Sequence, residues 1–118
     1  MNELVLAVDD NTRILDLVAL VLRQAGYRIA TAATGAEARQ KLVEEAPALI
    51  ILDMSLPDIS GMELLRSVRE TSDVPVIILS ALEQAAGKAG KIPGVRFVSK
   101  PFDPRELVNH VKQAMGPV

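Results

Sequence analysis

Leu49-Ile50-Ile51-Leu52-Asp53 decides how the chain folds: four large apolar residues in succession, closed by an acid. So short a run has no room for a helical stripe. Its unbroken apolarity marks a strand covered on both faces, as in a parallel sheet lying between helices. Working outward, Leu4-Val5-Leu6-Ala7-Val8, Val76-Ile77-Ile78-Leu79 and Val95-Arg96-Phe97-Val98 follow the same pattern, and residues 27–32 form a weaker, edge-like version of it. Helical periods fill the intervals. Residues 12–25 carry Ile14, Val18, Val21 and Ala25 on one expected inward stripe, with Gly26 where a left-handed cap belongs. Leu15, Ala19 and Leu22 form a second stripe beside it, which fits either a wide core face or a docking patch. A helix over 36–46 is stopped by Pro47, and one over 61–71 is capped by Ser60 with Met62, Leu65 and Val68 inward. Asp103-Pro104 opens a last helix through Leu107, Val108, Val111 and Met115.

Strands alternating with helices make an α/β domain of (βα)5 type over residues 1–118. One helix is in question. Residues 83–94 hold Gly87, Gly90, Pro93 and Gly94 with a single large aliphatic, Ile92, so one or two turns followed by loop are expected, in the most mobile internal segment.

Composition removes several chemistries. The 118 residues contain no Cys, which excludes disulfides and thiolate metal sites, and one His, His110, which puts a histidine-built zinc site or a Ser-His-Asp arrangement out of reach or nearly so. Thirteen basic against fifteen acidic residues give a net charge of −2, and no basic stripe points to nucleic acid. No apolar run approaches the roughly 20 residues that span a bilayer, and the first residues lack the basic start of a signal peptide, so a cytoplasmic domain is expected.

Ligands of open parallel sheets bind beyond the carboxyl ends of the strands. Here the first strand ends on Asp9-Asp10, the third on Asp53, the fourth on Ser80, and the fifth runs into Lys100-Pro101. Converging carboxylates repel by about 4 kcal/mol per pair at about 4 Å and an effective dielectric near 20, and a hard cation such as Mg2+ relieves this. With no thiol or imidazole available at that rim, a carboxylate is the natural nucleophile toward phosphorus. One bland reading of Asp9 or Asp10 is a helix cap, which would not require two acids and would leave Asp53 unexplained.

Asp9-Asp10, Asp53-Met54 followed by Pro57 and Gly61, Ser80-Ala81 and Lys100-Pro101-Phe102 stand in an order and spacing that resembles the receiver domain of two-component response regulators. The likeness covers essentially the whole chain. It implies a flavodoxin-like, doubly wound parallel sheet in the order 2-1-3-4-5. It implies a phosphorylation-activated switch, with Asp53 accepting a phosphoryl group from a histidine kinase or phosphotransfer protein in a magnesium-dependent reaction. Asp10 matches the direct Mg2+ ligand, Asp9 a ligand acting largely through water, and Ser55 a ligand through its backbone carbonyl. Lys100 matches the phosphate-binding lysine, joined to Pro101 by a cis bond, Ser80 the switch hydroxyl and Phe97 the switch aromatic, although an aromatic on a central strand also reads as plain core. Ala81 keeps the phosphoryl approach open. Ser55 and Leu82 occupy the positions that tune phosphoryl lifetime, and neither is an amide or carboxylate, so a long-lived phosphoryl group is expected. The donor is expected to dock over Leu15 and Ala19. The remaining expectations are a monomer that can dimerise on phosphorylation, an unidentified downstream protein, no nucleic acid bound by this domain and no membrane. Catalysis is expected to be confined to its own phosphorylation and dephosphorylation. The alternative is a magnesium phosphohydrolase with an aspartyl-phosphate intermediate, but that class carries an acid-base Asp two residues past its nucleophile, where this chain has Ser55. A phosphorylation-independent adaptor would typically have lost an acid or the lysine, and none is lost.

Overall fold

The computed structural model describes residues 3–54, 56–81 and 94–115, with the backbone alone described for 80 and 81. The described elements run β1 (Leu4–Val8), α1 (Thr12–Gln24), β2 (Arg28–Ala32), α2 (Gly35–Glu45), β3 (Leu49–Asp53), α3 (Gly61–Arg69), β4 (Val76–Ala81), β5 (Val95–Lys100) and α4 (Pro104–Met115). Every strand pairing is parallel, and the sheet order is β2-β1-β3-β4-β5. The strand order implied by the resemblance is therefore the observed one. The expectation for residues 83–93 lies outside the described residues.

β1 and β3 are buried at all their positions, as their continuous apolarity requires, and alternate residues feed opposite faces of the sheet. Val5, Ala7, Leu49, Ile51, Ile77, Leu79 and Val98 pack with α1 and α4. Leu6, Val8, Ile50, Leu52, Val76 and Ile78 pack with α2 and α3. β2 is an edge, as its weaker pattern predicted, and Arg28 at its start is exposed.

The helix ends follow their side chains. Gly26, at φ 101°, closes α1 with hydrogen bonds from Gly26 N–H to Arg23 O and from Tyr27 N–H to Leu22 O, each 3.0 Å, a Schellman arrangement. Ser60 Oγ accepts the Glu63 N–H at 3.2 Å and starts α3, whose buried residues are Gly61, Leu64, Leu65 and Val68.

The orientation of α1 differs from the expected one. Its buried residues are Leu15, Val18, Ala19 and Leu22, while Ile14 and Val21 are half-buried and Ala25 is exposed. The second apolar stripe is the core face, because it is the one that meets the sheet. No helix of the described residues is long and apolar enough to cross a membrane.

Candidate functional site

β1 and β3 are neighbours, with Val8 opposite Leu52, so the positions that follow, Asp9 and Asp53, emerge side by side at the carboxyl edge of the sheet. Asp9 is held there from both ends. Its N–H donates to Ala32 O at 3.1 Å, and its Oδ1 accepts the Asn11 N–H at 2.9 Å. Asn11 then caps α1, its Oδ1 accepting from the N–H groups of Arg13 at 3.0 Å and Ile14 at 3.3 Å. The capping task thus belongs to Asn11, which leaves the exposed Asp10 carboxylate free of it. One carboxylate oxygen from each of Asp9, Asp10 and Asp53 lies within 4.8 Å of the others.

Lys100 ends β5, opposite Ala81 of β4, and its four-carbon stem crosses toward the same acids. Its Nζ donates to Asp53 Oδ1 at 2.7 Å and to Asp9 Oδ2 at 3.3 Å. Burial alone would lower the pKa of this ammonium. The hydrogen bond to Asp53 and the charge of Asp9 more than offset that and hold it above its ordinary value. Burial raises the pKa of Asp9, opposed by the Asn11 N–H, and the neighbouring Asp53 charge raises it further against the pull of Lys100. Asp9 and Asp53 are 2% and 6% exposed, so both charges are removed from water. The Lys100–Pro101 peptide bond is cis.

This donor set suits a hard divalent cation. The clustered ligand atoms are all carboxylate oxygens, and with the Lys100 ammonium as partner the pocket still carries two uncompensated negative charges. Repulsion of roughly 3.5 kcal/mol per acid pair, at this spacing and an effective dielectric near 20, is what such an ion would relieve.

The structure therefore brings together Asp9, Asp10, Asp53 and Lys100. Ser80 and Ala81 lie in β4 opposite Ser99 and Lys100. Phe97 sits opposite Ile78 and is half-buried, packed against the cluster that contains Ile78 and Val95. Ser55 and Leu82 lie outside the described residues. Leu15 and Ala19, expected to form a docking surface, are 8% and 6% exposed and turn toward the core. That expectation is corrected, because the exposed large apolar residues of α1 are Leu17 and Leu20.

One further residue near the site is legible only in three dimensions. Asp58, in the loop that leaves Asp53, accepts the Gly35 N–H on Oδ1 at 2.8 Å and the Ala36 N–H on Oδ2 at 3.1 Å. The Gly35 bond, seconded by Ala36, holds its carboxyl below the ordinary range. No local pattern could signal this, since its partners are 23 and 22 residues away.

Comparison with known proteins agrees with this geometry. The family model described as the response regulator receiver domain matches residues 5–112. The chain is 35% identical to the phosphate regulon transcriptional regulatory protein PhoB of Pseudomonas aeruginosa, over 98% of this chain and 52% of that protein. It is 36% identical to the transcriptional regulatory protein KdpE of Mycobacterium tuberculosis, over 95% and 50% respectively. It spans about half the length of these curated relatives. Among solved structures, it matches a putative response regulator from Chloroflexus aurantiacus with a TM-score of 0.85 and 35% identity, covering 98% of both chains. It matches the chemotaxis response regulator CheY4 of Vibrio cholerae with a TM-score of 0.88 and 30% identity, covering 97% of this chain and 99% of that one. With five parallel strands in the order shared by these folds and a receiver model matched over most of its length, the chain belongs to the receiver domain family of two-component response regulators.

Proposed function

We propose that this domain is a signalling switch that accepts a phosphoryl group on Asp53 from a histidine kinase or phosphotransfer protein, with Mg2+ required. The observation that carries the reading is the 2.7 Å contact of Asp53 with Lys100 inside a pocket of three carboxylates. An Asp53 carboxylate oxygen attacks phosphorus as the phosphorus–nitrogen bond of the donor phosphohistidine breaks. The imidazole leaves with that electron pair and keeps the proton on its other nitrogen, so it departs neutral. Lys100 then exchanges its bond to the carboxylate for one to a phosphoryl oxygen. Its link to Asp9 keeps the ammonium aimed at the reaction while this happens.

Asp9, Asp10, Asp53 and the Ser55 backbone carbonyl would hold the Mg2+, Asp10 directly and Asp9 largely through water. When bound, the ion neutralises the charge of the pocket and of the phosphoryl oxygens. The family positions assign Ser80 as the hydroxyl that binds a second phosphoryl oxygen, Phe97 as the aromatic that follows it, and Ala81 as the small residue at the approach. Ser55 and Leu82 set a slow loss of phosphate. PhoB and KdpE are named as transcriptional regulators, so the output we infer passes through a protein effector rather than through nucleic acid bound by this domain. The hydrolase reading has no acid-base carboxylate at Ser55 to support it.

The test is incubation with acetyl phosphate and Mg2+, read by intact mass. A gain of one phosphoryl group, abolished by a chelator and in Asp53→Asn, is the expected result. Many turnovers on phosphate esters, without a stable phosphoprotein, would favour the hydrolase instead.

A further inference from the structure

The loop over residues 54–60 leaves the acceptor strand and is tied down at three places. At its base the Gly61 N–H donates to Met54 O at 2.8 Å, and a Cβ at Gly61 would stand 2.6 Å from Asp53 O, so only glycine permits this closure. At its downstream end Ser60 caps α3. Its outermost part is fastened to a different helix. The first turn of α2 presents N–H groups that have no partner within the helix. Thr34 Oγ1 takes that of Glu37 at 3.1 Å, whereas those of Gly35 and Ala36 go to the two oxygens of Asp58. Ile59 packs beside them against Gly35, where any Cβ would collide with its Cγ2. A carboxylate and an apolar side chain thus lock the loop onto the start of α2, and the helix dipole favours the negative charge there.

We infer that Asp58 is a positioning residue for the acidic pocket: by clamping Gly35 and Ala36 it sets the backbone that follows Asp53 and couples α2 to the state of the pocket. The inference rests on the magnesium site proposed above, and uses the ion as a probe. Asp58 follows Asp53 by five positions in the sequence, and Met54, the first residue between them, is itself fixed by Gly61. Releasing Asp58 removes both hydrogen bonds that tie the loop to α2 and leaves it held by Gly61 at its base, by the Ser60 cap and by Ile59 against Gly35. Ligand groups that are free to wander bind an ion more weakly, commonly by about tenfold or more when an orienting partner is lost. Because coupling between two sites is reciprocal, an ion in the pocket must also be felt at Gly35 and Ala36.

The experiment titrates MgCl2 into the metal-free protein and follows backbone amide resonances, with urea unfolding of each variant alongside. In wild type, the Gly35 and Ala36 amides should shift together with those near Asp53. Asp58→Ala should weaken Mg2+ binding roughly tenfold and uncouple the two α2 amides. Asp58→Asn keeps one acceptor oxygen for one of the two N–H groups, and should lose only about threefold, half of the effect on a logarithmic scale. This milder variant carries the test if the alanine variant folds poorly. Gly35→Ala, which displaces Ile59 from the opposite side of the same contact, should behave like Asp58→Ala. Wild-type affinity in Asp58→Ala or Asp58→Asn, or α2 amides that ignore the ion, would overturn the inference. A purely structural role would lower the urea midpoint and leave the affinity unchanged, which is the same refutation. If wild type binds no Mg2+ at all, the proposed function fails and this inference falls with it, a result distinct from binding that is insensitive to Asp58.

Discussion

Asp9 carries opposing demands in one side chain. Burial and the Asp53 charge work against its ionisation, while the Asn11 N–H and Lys100 work for it, and the balance leaves its pKa raised. A carboxyl that binds its proton more tightly in the folded than in the unfolded protein costs stability above its raised pKa. That cost is relieved as pH falls through the raised pKa toward the ordinary one, and is absent below both. Asp9→Asn should therefore stabilise the metal-free protein at pH 7, in contrast to the usual sign for a point substitution. The same substitution should weaken the stabilisation that the proposed Mg2+ site is expected to give wild type at millimolar Mg2+. Urea unfolding with and without the ion measures both, and a metal-free variant less stable than wild type at pH 7 would contradict the assignment. The residues of this pocket are legible in the sequence for a topological reason. Each follows or ends a strand recognisable by its apolar run, so the carboxyl edge of the sheet can be listed before any coordinates are known. Asp58 escapes that reasoning because its hydrogen bonds close across 22 and 23 residues.

The elements were readable in type and largely in extent, because apolar runs, caps and stops agree: Ser60 and Gly26 do at the helix ends what their chemistry predicts. Rotation of α1 about its axis was not readable. Positions 14, 15, 17, 18, 19, 20, 21 and 22 are all apolar, so the two neighbouring stripes, one with Ile14, Val18 and Val21 and one with Leu15, Ala19 and Leu22, are nearly equivalent in hydrophobicity. Only the fit against Val5, Ala7 and α4 selects the face with Leu15, Val18 and Leu22. The choice has a measurable consequence. Leu22 is fully buried and Leu20 is 55% exposed. Leu22→Ala should cost about 2 to 5 kcal/mol, the range for emptying a core leucine site, whereas Leu20→Ala should stay within about 0.5 kcal/mol. Equal losses from the two substitutions in urea unfolding would mean that the helix is turned differently.

In the whole molecule, the sheet order brings together groups that the sequence keeps far apart. β1 and β3 lie side by side, delivering Asp9 and Asp53 to one edge, and Lys100 reaches both from β5 across 91 and 47 residues. The acids repel one another, the lysine offsets part of that, and the remaining negative charge with its all-oxygen lining makes the edge a place for a divalent ion and a phosphoryl group. The central claim is that Asp53, and neither of its acidic neighbours, receives that group. Borohydride reduction tests it directly, because it converts an aspartyl phosphate to homoserine and so records the site in the peptide. After treatment with acetyl phosphate and Mg2+, peptide mass spectrometry should find homoserine at position 53 alone. Homoserine at position 9 or 10, or none anywhere in protein that has gained a phosphoryl group, would contradict the account.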